Sequence, residues 1–90
     1  MKKILVNLDF GGFGLKDEYN DYGGREDEKL IALVEQGIDI GDELADIGNA
    51  EVPDNATDYY INEYDGKEEV LYVLDGRIYF AKCYQHGEEY

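Results

Sequence analysis

Cys83 and His86, three residues apart, are the only thiol and the only imidazole in the chain. That spacing offers a nucleophile and base, or half of a zinc site. A closed zinc site takes four such ligands, and no other Cys or His exists to complete it. Hydroxyl nucleophiles are equally scarce, with no Ser and one Thr, Thr57. Carboxylates abound, but no stretch has the D-x-[DN]-x-[DN]-G spacing of a calcium loop. Adjacent acids such as Asp42 and Glu43 read as a solvated helix face. GGFG (Gly11–Gly14) suggests a phosphate cradle, yet it lacks the G-x-G-x-x-G and G-x-x-x-x-G-K patterns, and acids rather than cations follow it. The chain therefore predicts a protein that is not an enzyme, with no catalytic residues, no metal and no cofactor. Cys83 becomes a sheet residue and His86 part of the tail.

What remains is charge and tyrosine. The formal net charge is −14, and between Leu30 and Gly66 there are ten Asp or Glu and no Lys or Arg. Such a surface repels nucleic acid and anionic membrane, because phosphate binding depends on Lys and Arg. It attracts a basic protein surface and accelerates the encounter. The expected contact residues are Asp39, Asp42, Glu43, Asp46, Glu51 and Asp54, with Asp42, Glu43 and Asp46 all facing solvent. Their carboxylates would occupy a groove meant for phosphates on a basic nucleic-acid-binding protein. A plain solubilising role for these acids stays open beside that reading. Nine tyrosines without a tryptophan suit an interface, where Tyr is enriched. Tyr60 and Tyr64 are the candidates for it, and a homodimer through that face is the second functional reading. Small-ligand or nucleotide sequestration beside GGFG is a distant third.

The strongest structural signal lies in residues 57–83. Asp65-Gly66 and Asp75-Gly76 each separate runs rich in Tyr, Val, Ile and Leu, and Asp-Gly suits the two positive φ values of a type I′ hairpin turn. Two-residue turns place Tyr64 opposite Lys67, Ile61 opposite Val70, Leu74 opposite Arg77 and Leu71 opposite Phe80. One face then carries Tyr59, Ile61, Val70, Tyr72, Leu74, Tyr79 and Ala81, and the other Tyr60, Tyr64, Leu71, Val73, Ile78 and Phe80. Glu63 falls opposite Glu68, a like-charge pair that counts against this register and that a one-residue bulge at Gly66 would separate.

Upstream, Lys2–Phe10 alternates as a strand, with Ile4, Val6, Leu8 and Phe10 on one face. The glycines after it allow a sharp exit, with Phe13 and Leu15 turned into the core. Asp17–Gly24 reads as a loop or a turn of helix. Glu26–Gln36 reads as a helix, with acids in its first turn, an apolar stripe of Leu30, Ile31, Leu33 and Val34, and Gly37 closing it. Ile38 and Ile40 continue the stripe's contact. Gly41–Gly48 suggests a second short helix with Leu44 and Ile47 inward, followed by a loop or edge strand at Pro53. Residues 84–90 read as a frayed tail.

Ninety residues make one small domain, 1–90. With a single cysteine it holds no internal disulfide. No apolar run approaches the roughly 18 residues of a membrane span, so a soluble cytoplasmic protein is expected, with no membrane and no direct nucleic-acid partner. The predicted fold class is α+β, an antiparallel sheet of about four strands on one main helix.

Three segments, GGFGL (Gly11–Leu15), R-x-D-x-x-L-I-x-x-V-E (Arg25–Glu35) and EVPDNATDYYINEYDG (Glu51–Gly66), together resemble a family of small uncharacterised bacteriophage-encoded proteins. Members usually carry a Ser and a fuller helix after GGFGL, where this chain has Lys16 and an acidic loop. Many end soon after EYDG, where this chain adds the strand Arg77–Cys83. The resemblance implies a phage setting, an α+β fold and action in the host cytoplasm, and it supplies no catalytic residues. Phage genomes often carry small acidic proteins that disable host defences. By that analogy the leading functional expectation is a non-enzymatic inhibitor of the anti-CRISPR or anti-restriction kind.

Overall fold

The computed structural model describes residues 1–90. It contains one α-helix, α1 (Glu28–Glu35), a single 3-10 turn at Asp17–Tyr19 within the segment read as a loop or turn of helix, and seven strands: β1 (Lys2–Asn7), β2 (Ile47–Val52), β3 (Asp58–Tyr64), β4 (Lys67–Leu74), β5 (Arg77–Phe80), β6 (Lys82–Gln85) and β7 (Glu88–Glu89). The strands form two antiparallel sheets, β1-β2-β6-β7 and β3-β4-β5, so the fold is α+β and mostly sheet. The single sheet of about four strands is thus corrected to two.

β1 explains the layering. Its residues Ile4–Asn7, and Leu8 just beyond them, are all buried, as expected for a strand covered on both faces. Leu5 joins Leu30, Ile31, Val34, Ile40, Ala45 and Ile47 in one apolar cluster. Ile4, Val6 and Leu8 join Ala50, Val52 and Val70 in another, with Tyr59, Ile61 and Tyr72 packed against it. The β3–β4–β5 meander therefore lies on the β1–β2 sheet, on the side away from α1. Phe10, expected in line with Leu8, lies beyond the strand end and is exposed.

The meander has the expected register, from Tyr64↔Lys67 through Tyr59↔Tyr72 to Leu71↔Phe80. Both turns have the I′ signature, with φ of 51° and 82° at Asp65-Gly66 and 52° and 76° at Asp75-Gly76. No bulge intervenes, and Glu63 does stand opposite Glu68. The pair is tolerated because Glu68 turns inward onto Arg25 while Glu63 stays in water. The expected strand Arg77–Cys83 breaks at Ala81, whose N–H still bonds Val70 O, and the chain crosses to the other sheet as β6.

Residues 84–90 are not frayed. β6 and β7 form a third hairpin through His86-Gly87, with φ of 55° and 80°. Tyr90 secures its end, its N–H donating to Cys83 O and its hydroxyl to Leu8 O.

The helix is eight residues long, shorter than expected at both ends. Asp27 is its N-cap rather than a first-turn residue: Oδ1 accepts the Leu30 N–H at 3.0 Å. At the other end Gly37 (φ 86°) donates to Val34 O and Ile38 to Leu33 O, a Schellman closure. Ile40 is buried, whereas Ile38 is exposed.

Gly41–Gly48 is not a helix. Asp42 Oδ1 accepts the N–H groups of Leu44 and Ala45, both at 3.0 Å, which makes a local turn instead. Leu44 faces solvent, and Ile47 and Gly48 open β2 opposite Asn7 and Val6. A side chain at Gly48 would collide with Leu8 and with Tyr84 O. Gly48 sits in a strand because the neighbouring chains approach it that closely.

Candidate functional site

The six acids expected to bind a partner do not share one surface. β2 is six residues long, roughly 20 Å, and separates Asp46 at one end from Asp54 at the other. Asp54 Oδ2 accepts from the Met1 ammonium at 3.0 Å. Glu51 lies within β2, opposite Lys3 on one side and Lys82 on the other, away from the loops that carry Asp42 and Asp46. Asp39 accepts the Gly41 N–H at 3.1 Å and lies 3.9 Å from Lys16 Nζ. Asp42 caps its own turn, and half-buried Asp46 accepts from the Gln85 amide. Of Asp42, Glu43 and Asp46, therefore, only Glu43 is a free solvent-facing acid.

Three separate segments do come together at the Asn7 end of β1. Asn7 is fully buried and pins all of them. Its side-chain amide donates to Asp9 O at 2.6 Å and to Gly66 O at 3.2 Å, and its Oδ1 accepts the Asp46 N–H at 2.8 Å. The Gly12 N–H reaches Gly66 O at 3.0 Å, and the Asp42 N–H reaches Gly14 O at 3.0 Å. Gly11 (φ 109°) is required here, since a Cβ on it would stand 2.6 Å from Leu44 O. The GGFG loop thus spends its backbone on neighbouring loops. Phe13 and Leu15 pack partly buried beside the α1 cluster, as expected.

The outcome is an acidic end carrying Asp9, Asp42, Glu43, Asp46 and Asp65, none of which forms a salt bridge. Phe10 and Leu44 project among them, 66% and 69% exposed. Asp9 and Asp65 belong to this set but were not among the expected residues. The one local mark of their proximity was Asn7, a polar residue inside an apolar strand.

Beside this end is a second polar centre that sequence reasoning missed. Arg25 Nη1 and Nη2 donate to Glu68 Oε1 and Oε2, each at 2.8 Å, and Nη1 also donates to Leu5 O at 3.1 Å. The Asn7 N–H donates to Glu68 Oε1 at 2.9 Å, and the Leu5 N–H to Arg25 O at 2.8 Å. The guanidinium lies over the Phe13 ring, 3.9 Å from its centroid. Together these groups cap the backbone of β1's otherwise open edge, a device against edge pairing. Burial alone would raise the Glu68 carboxyl's pKa, but the hydrogen bonds from Arg25 and Asn7 and the Arg25 charge hold it below the usual Glu value. The Glu63–Glu68 register clash was the available clue to it. Nearby, the Tyr59 hydroxyl donates to exposed Glu26 at 2.8 Å and lowers its pKa, with help from Lys2.

Cys83 and His86 do not meet as a dyad. Cys83 packs with the β1–meander cluster, and burial pushes its thiol pKa up. His86 sits instead at the α1 terminus, where a Cβ on Gly37 would lie 3.5 Å from its Nδ1. Cys83 also lines a cavity of about 270 Å³ with Leu8, Val70, Lys67 and Lys82, just below the usual range for small-molecule pockets. No group of three His, Cys, Asp or Glu is placed to hold a metal ion. No helix is long and apolar enough to cross a membrane.

Tyr60 and Tyr64 are placed as expected, on the meander face turned away from β1. Leu71, Val73, Ile78 and Phe80 share that face.

No protein-family model, curated protein or solved structure matches this chain.

Proposed function

We propose that the protein is a non-enzymatic, phage-encoded inhibitor of a host nucleic-acid-binding defence protein, of the anti-CRISPR or anti-restriction kind, acting in the host cytoplasm. The observation that carries this reading is the acidic end, where carboxylates from three segments surround Phe10 and Leu44 with no cation paired to them. Arg and Lys side chains that normally hold phosphate oxygens would meet these carboxylates in charge-assisted hydrogen bonds. The two apolar side chains supply the anchor that charge alone lacks, since interface energy concentrates in buried apolar contacts ringed by polar ones. In this reading α1 is the main helix on which the four-stranded sheet rests, and it holds the acidic end rigid.

The test is capture from bacterial lysate on the immobilised protein at low and high salt, followed by displacement with duplex DNA. A basic protein retained at low salt, released by salt and displaced by DNA is the expected result. Reversing Asp42, Glu43 and Asp46 together is a poor control, because Asp42 and Asp46 hold structural bonds. Asp9→Asn, Glu43→Gln and Asp65→Asn combined is cleaner, since Asn keeps the positive-φ turn at position 65. This triple variant should fold normally, within about 0.5 kcal/mol of wild type, and retain little of the captured protein. Undiminished capture by it, or capture indifferent to salt, would overturn the proposal.

A further inference from the structure

The outer face of the β3–β4–β5 meander has no partner within the chain. Tyr60, Leu71 and Phe80 form one row across the three strands, and Val73 and Ile78 continue it in the next. Tyr60, Tyr64, Ile78 and Phe80 remain 42–71% exposed. One residue in three of this chain is charged, yet these two rows themselves hold one charge, Asp58 at their corner, with Glu69 in the adjoining row and Lys82 flanking Phe80. Depletion of charge around aromatic residues marks the centre of a protein interface.

We propose that this face binds a second copy of the chain, sheet on sheet, in a two-fold dimer. The charge pattern selects that occupant. A basic partner would find only Asp58 and Glu69 on this face, whereas two copies each carrying −14 meet with least repulsion where the acids are fewest. The same face on both copies can meet about a two-fold axis, as an isologous interface requires. Two such sheets pack about 10 Å apart. Aromatic side chains of this size bury roughly 150–250 Å² each. At their present exposure the two copies would bury on the order of 1,000 Å² in total, the lower end of specific interfaces. The dimer should therefore be reversible, with a dissociation constant in the micromolar range.

Sedimentation velocity or light scattering over a concentration series tests this, at low and at high salt. Dimerisation should strengthen as salt screens the repulsion between copies, the opposite sign to capture by the acidic end. Phe80→Glu should weaken dimerisation by more than about tenfold while leaving the urea midpoint at dilutions where both proteins are monomeric, and the capture of a basic protein, unchanged. In a Cys83→Ala background, Tyr60→Cys should form a disulfide-linked dimer on mild oxidation, and Asp54→Cys at the far end of β2 should not. A wild type that stays monomeric at several hundred micromolar in high salt overturns the proposal, as does equal cross-linking at both positions. Neither result touches the acidic end, and the Asp9/Glu43/Asp65 variant should dimerise normally.

Discussion

The Arg25–Glu68 centre and the acidic end adjoin at Asn7 and treat carboxylates in opposite ways. At the first, one acid is 5% exposed and each of its oxygens accepts a hydrogen bond. At the second, Asp9, Glu43 and Asp65 are exposed and form no salt bridge. Asn7 serves both, giving its backbone N–H to Glu68 and its side chain to the loops. The contrast shows that net charge is a poor measure of binding surface. Some acids complete the fold, some cap turns, and only the remainder is available to a partner.

The largest effect should separate Glu68 from Glu63, its cross-strand neighbour. Glu68→Ala leaves a half-buried guanidinium and the β1 N–H unpaired, and should cost about 3 kcal/mol in urea unfolding. Glu63→Ala should stay within about 0.5 kcal/mol. Equal costs would show that the Arg25 pair contributes nothing beyond a surface ion pair.

Next comes the turn that ties the two regions together. Gly66 and Gly76 both have positive φ, but a Cβ at Gly66 would lie 2.7 Å from Gly11 N, while Gly76 faces open space. Gly76→Ala should cost about 1 kcal/mol from backbone strain alone. Gly66→Ala should cost about 2 kcal/mol or more, because it also pushes the Gly11 loop away. Thermal unfolding of the two variants gives the comparison directly, and matching losses would mean that the loop contact is immaterial.

Acid titration should give the smallest and most gradual effect. Glu68 is held below its ordinary carboxyl value in the folded protein, near 4.5 when unperturbed, so the folded state binds its proton less readily than the unfolded state. Its stabilisation is complete above that value and is lost as pH falls through the lower, folded one. Glu26 and Asp27, also shifted down, add in the same direction. The urea midpoint should therefore drop below about pH 4.5, and the drop should be shallower in Glu68→Gln. An identical acid profile in that variant would assign the transition to other groups.

The meander was legible because each hairpin is written locally, in an Asp-Gly pair between alternating strands. The helix was legible from its apolar spacing and Gly37. β2 was misread because Asp42 and the acids after it imitate a helix start, whereas the strand is specified by β1 and β6, distant in sequence. His86-Gly87 lacks the usual Asn or Asp of an I′ turn, so the last hairpin left no recognisable mark. The acidic site suffered in the same way. Acids grouped by proximity in the chain included Glu51 and Asp54, which β2 carries away, and omitted Asp9 and Asp65, which Asn7 draws in.

That division between local and distant pairing also orders the protein's assembly. β1 has no ladder partner until Val52 has been made, its edge cover stays incomplete until Glu68, and β2 lacks its second neighbour until Gln85. The meander needs only its own 23 residues, Asp58–Phe80. Contacts between distant segments carry a loop-closure cost that local hairpins avoid. During synthesis the first strand therefore waits for nearly the whole chain, and the hairpins form ahead of the sheet they will cover. In refolding experiments, Val73→Ala in the meander should mainly slow folding and Ile4→Val in β1 mainly hasten unfolding.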